Sequence, residues 1–109
     1  MTAQQKTHSA PDLYSRINQP LNGTLSISAN SNGIEVRMNT ATFPVGKDVF
    51  VEWTTGPNSN WSKKESTNGS ILTSILDYAV YKTQEGKTAH VTYTVDSVTS
   101  EPATVQVVA

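Results

Sequence analysis

Residues 48–55 read "DVFVEWTT", and their alternation decides the fold. Val49, Val51 and Trp53 fall on one side and Phe50, Glu52 and Thr54 on the other, the two-residue period of a strand with one buried face. The same period recurs in both directions along the chain. "TLSISA" puts Leu25, Ile27 and Ala29 together, and "IEVRM" sets Ile34, Val36 and Met38 inward against Glu35 and Arg37. Downstream, "KTAHVTYTV" groups Ala89, Val91, Tyr93 and Val95, and "ATVQVV" groups Ala103, Val105 and Val107.

Turn chemistry separates these runs. "NSNG" at Asn30–Gly33 and "PVGKD" at Pro44–Asp48 supply the Gly and Asn that accept positive φ. The segment "SILTSILDYAVYKTQEG", from Ser70 to Gly86, starts as a strand and then fits one helical turn over Asp77–Lys82. Asp77 stands as its cap, Leu76, Ala79 and Val80 form its apolar side, and Gly86 ends the excursion. Helical periodicity is otherwise missing. About seven short strands in a chain of 109 residues predict an all-β fold, an immunoglobulin-like antiparallel β-sandwich. The sandwich is expected over residues 23–109. Residues 1–22 are polar, carry Pro11 and Pro20 and show no period, so they are expected to form a flexible N-terminal arm.

Composition excludes several functions. A net charge of −1 with 16% charged residues leaves no electrostatic footprint for nucleic acid or an anionic membrane. No apolar run is long enough for a membrane-spanning helix, so no membrane insertion is expected. The N-terminal twenty residues lack the apolar core of a secretory signal. The chain is therefore expected to be cytoplasmic, exported by a non-classical route, or cut from a larger protein. With no cysteine, disulfides, thiolate metal sites and a cysteine nucleophile all drop out. Asn-x-Ser/Thr triplets at Asn22, Asn60 and Asn68 read as polar loop composition rather than glycan sites in a chain without that signal.

The order "GIEVRM…FPVGKDVFVEW…EGKTAHVTYTVDSVTSEPATVQVV" resembles the bacterial immunoglobulin-like domains repeated in large proteobacterial surface and secreted proteins. The segments that carry the resemblance are Gly33–Met38, Gly46–Trp53 and Gly86–Val107, and it spans about Thr24 to Val108. Met38 stands where the repeats have a second Val, and the polar arm and single unit also depart from their pattern. The resemblance implies a spacer, an adhesive module or, occasionally, a carbohydrate-binding module.

Both tryptophans lie within Gly46–Trp61. Trp53, at an inward strand position, is expected to fill the centre between the sheets, and Tyr93 likewise. Trp61 lies in "TTGPNSNWSKKESTNGS", a loop by composition. There it either caps the open end of the sandwich or meets a ligand. Asn58, Asn60, Lys63 and Lys64 beside it complete a candidate binding site for a glycan or protein: an indole stacks on a sugar ring while amides and ammonium groups bond hydroxyls, and Trp is enriched at protein hot spots.

Catalytic constellations are missing from the pattern. His8 lies in the arm and His90 on an outward strand face, with no paired metal-ligand spacing. His90 and Asp96 lack a nucleophile elbow to complete a triad. Asp48, Glu52, Asp77, Glu85, Asp96 and Glu101 are scattered, unlike a calcium loop. No cofactor, metal or enzymatic activity is expected. The expectations that remain are a non-enzymatic interaction module using end loops around Trp61, a structural or assembly subunit docking through an edge strand or the arm, and a small lectin. Self-association stays open.

Overall fold

The computed structural model describes residues 8–55 and 60–109. It is an all-β sandwich of two sheets, with nine strands among the described residues rather than about seven. In chain order they are β1 (Asp12–Ser15), β2 (Thr24–Ser26), β3 (Ile34–Asn39), β4 (Asp48–Thr54), β5 (Asn60–Ser66), β6 (Ile71–Leu76), β7 (Thr88–Val95), β8 (Val98–Thr99) and β9 (Ala103–Val108). The first sheet has the order β1-β3-β6. The second has the order β2-β9-β7-β4-β5, with β8 paired to β7.

The alternation explains the core. Ile34, Val36 and Met38 of β3, Val49, Val51 and Trp53 of β4, and Ala89, Val91, Tyr93 and Val95 of β7 are all buried. Cross-strand pairing places Trp53 opposite Val91 on one side and Trp61 on the other, so β4 is flanked on both sides, between β7 and the edge strand β5. Helix α1 (Tyr78–Tyr81) follows β6. Asp77 takes its N-cap position with extended backbone but makes no side-chain cap bond. The helix buries Tyr81 rather than Ala79. The Tyr81 ring lies 6.1 Å from Trp53, and its hydroxyl donates to the Asn30 carbonyl. Gly33, which opens β3, has φ +93°, and a Cβ there would lie 2.8 Å from the Leu76 carbonyl oxygen. Only glycine satisfies both constraints.

Three sequence expectations change. The arm expected over residues 1–22 belongs in part to the sandwich. β1 pairs antiparallel with β3, Leu13 and Leu21 pack on the core, and Glu101 N–H donates to the His8 carbonyl at 2.9 Å. The His8 ring stacks on Tyr93 at 5.6 Å and meets Phe43 edge-on at 4.8 Å. A strand of four residues is too short to reveal a period, and its partner lies far along the chain. Residues 1–7 lie outside the described residues. Next, "TLSISA" is a strand only to Ser26. A 3₁₀ turn over Ser28–Asn30 follows and leaves Ala29 exposed. β2 also pairs parallel with β9, so the larger sheet is mixed. Finally, the polar stretch around Trp61 is strand β5, not loop, and pairs antiparallel with β4 from Asp48↔Ser66 to Thr54↔Asn60.

Candidate functional site

Strand geometry divides the residues that sequence reasoning had grouped. Directly opposed residues of an antiparallel pair share a face. Trp61, Lys63 and Glu65 are opposite Trp53, Val51 and Val49 and therefore belong to the inner face. Lys64 is opposite the outward Phe50, and Asn60 is opposite Thr54. Trp61 is half-buried and packs against the core. Lys63 reaches Glu65 at 3.3 Å, and Lys64 reaches Asp48 at 3.7 Å. Asn58 lies outside the described residues. Trp61 and Lys64 thus face opposite sides of one strand, while Lys63 shares the face of Trp61.

The charges on β5 have a structural explanation. β5 ends the larger sheet, and inward-pointing charge is a device that keeps such an edge from pairing with other chains. Two further edges are also closed. β2 has only three residues. β1 is covered by its own return: Leu21 N–H donates to the Leu13 carbonyl, and Ser15 N–H to that of Gln19. Next to it, the Arg37 guanidinium lies 3.8 Å from the centre of the Tyr14 ring and bonds Glu35 and Asn18. This network fills the β1–β3 half of the smaller sheet's outer face.

β6 is different. It ends the smaller sheet, and its sequence, "ILTSIL", has no charge, no proline and no bulge. Thr40 N–H donates to the Ser70 carbonyl, which makes Thr40–Ser70 a hydrogen-bonded pair. Counting by twos along the register Met38↔Leu72, Val36↔Ser74, Ile34↔Leu76, the backbone groups of Leu72, Ser74 and Leu76 face β3. Those of Ile71, Thr73 and Ile75 face outward. No described strand lies beyond them. The side chains of the same three residues occupy the outer face, and Ile71 is 58% exposed. Sequence reasoning missed this edge, because a strand's position in a sheet depends on which strands flank it.

Other features offer less. Two depressions of about 280 and 230 Å³ follow the β1–β2 connection, both lined by Pro20 and Leu21 among others. Among the described residues no three His, Asp or Glu side chains converge. His90 bonds Thr104 at 3.2 Å, whereas Asp96 lies beyond the far end of β7 and pairs with Lys47 at 3.3 Å. Burial pushes the Tyr81 hydroxyl up to about 12 and raises that of Tyr93, and both are core residues. Phe50, 46% exposed, stands on the outer face of the larger sheet between Lys64 and Thr94. No protein family, curated protein or solved structure matches this chain.

Proposed function

We propose that this chain is a non-enzymatic interaction module that docks an extended segment of a partner protein on β6 by strand addition. The supporting observation is the contrast among the four sheet edges. Three are short, covered or charged, while β6 offers outward backbone donors and acceptors at Ile71, Thr73 and Ile75 beside two isoleucine side chains. In strand addition the main-chain bonds supply affinity and alternate side chains supply specificity. The resemblance to bacterial immunoglobulin-like repeats fits an adhesive or assembly role of this kind.

A second reading, a glycan platform, draws on Phe50. An exposed aromatic beside Lys64, Asp48 and Thr94 has the composition of a sugar-stacking surface. Trp61, packed on the core, serves this less well.

Selection from a displayed library of random peptides, run beside a glycan array, separates the two. Strand addition predicts enrichment of alternating apolar peptides by the wild type, their loss with Thr73→Lys, and no change with Phe50→Ala. Glycan signals abolished by Phe50→Ala and untouched by Thr73→Lys would contradict it.

A further inference from the structure

We infer that the segment added to β6 is β6 of a second copy, paired antiparallel about a two-fold axis through Thr73. This rests on the strand-addition reading and goes further by naming the partner. Outward backbone groups occur at Ile71, Thr73 and Ile75. An antiparallel copy uses all three on both chains in one register only. That register sets Ile71 opposite Ile75 of the second copy, Thr73 opposite its own counterpart, and Ile75 opposite Ile71. Each is a hydrogen-bonded pair exchanging two N–H···O=C bonds, about six in all.

The side chains agree with that register. Isoleucine meets isoleucine on the outer face and threonine meets threonine, pairings that favour association. The match is isologous, as a two-fold interface requires. β6 carries no charge to repel its copy. On β3 the nearest charges, Glu35 and Arg37, are bonded to each other at 2.8 Å. The two Arg37 rows would be three strand spacings apart, roughly 14 Å. That exceeds the screening length of about 8 Å at physiological salt. β5 fails the same test, because a two-fold there brings its adjacent lysines, Lys63 and Lys64, against those of the copy. The product on the β6 side is one continuous sheet, with each copy contributing its three strands.

Sedimentation equilibrium of the full chain over a concentration series tests the pairing. The wild type is expected to approach twice the chain mass. Thr73→Lys, which places two ammonium groups on the axis, should weaken self-association by at least about tenfold. Thr73→Pro removes only an outward N–H, a position where a sheet edge tolerates proline, and should have the same effect. Lys64→Thr should leave the dimer intact. Circular dichroism and thermal melts verify that each variant is folded. A wild type monomeric at every concentration overturns the self-pairing, as does a dimer unaffected by Thr73→Lys. If the monomeric wild type still protects the Ile71, Thr73 and Ile75 amides when bound to peptides from the library, self-pairing fails and strand addition stands. If neither occurs, both fail.

Discussion

Ser74 donates a hydrogen bond to Glu65 at 2.7 Å, joining the edge strand of one sheet to the edge strand of the other. Ser74 is buried on the inner face of β6, and Glu65 is turned inward on β5 and also meets Lys63 at 3.3 Å. The bond closes the open side of the sandwich with polar groups where a wider sheet would have placed apolar ones. It also holds β6 in place while leaving its outward backbone groups free of β3.

Ser74→Ala should therefore destabilise the fold by about 1.5–3 kcal/mol, the range for a hydrogen bond to a charged group, toward the lower end because Glu65 keeps Lys63 as a partner. Urea denaturation of the variant measures this, and Glu65→Gln should cost less because its amide can still accept from Ser74.

The two tryptophans should separate in the same assay. Trp53→Ala creates a large core cavity and should cost roughly 3–5 kcal/mol. Trp53→Phe should cost much less, because the buried indole N–H has no hydrogen-bond partner among the described residues and none is lost. Trp61→Ala, at a half-buried position, should cost less than Trp53→Ala.

Backbone conformation supplies a pair of opposite predictions. Gly33→Ala meets both a positive φ and the Leu76 carbonyl and should destabilise by more than about 1 kcal/mol. Asp96 and Ser97 connect β7 to β8 with φ of 52° and 65°, the signature of a type I′ turn that favours glycine at its second position. Ser97→Gly should raise stability by about 0.5–1 kcal/mol, measured as an upward shift in the urea midpoint.

Tyr81 makes stability depend on alkaline pH. Burial pushes its hydroxyl from 10.0 up to about 12, so the folded state favours the neutral form. The resulting stabilisation, about 2–3 kcal/mol by linkage, is fully present below pH 10 and is lost as pH rises through about 12. Tyr81→Phe should be less stable at pH 7, where the bond to Asn30 is missing, and should show a shallower decline above pH 10. Denaturation midpoints across that range measure both effects.

Much of the architecture was legible because β3, β4, β7 and β9 have buried residues on one face and mostly polar or exposed residues on the other. Trp53 and Tyr93 could be placed in the core from that period alone. β5 was not legible, because Lys63 and Glu65 occupy inward positions and the charges that guard the edge erase the alternation that would mark a strand. Trp61 consequently read as a loop residue. β1 escaped notice because it is short, and the strand at Thr24 was legible while its parallel pairing with the distant β9 was not. The open edge at β6 belongs to the assembled sheet: "ILTSIL" looks the same whether or not another strand lies beside it.

The most direct test of β6 as the docking edge is residue-resolved amide exchange by NMR, followed with rising protein concentration and with added library-selected peptides. Slowed exchange at Ile71, Thr73 and Ile75 on association, lost in Thr73→Lys, is the predicted result. Free exchange at all three under every condition, or protection gained instead along Asn60–Ser66, would contradict it.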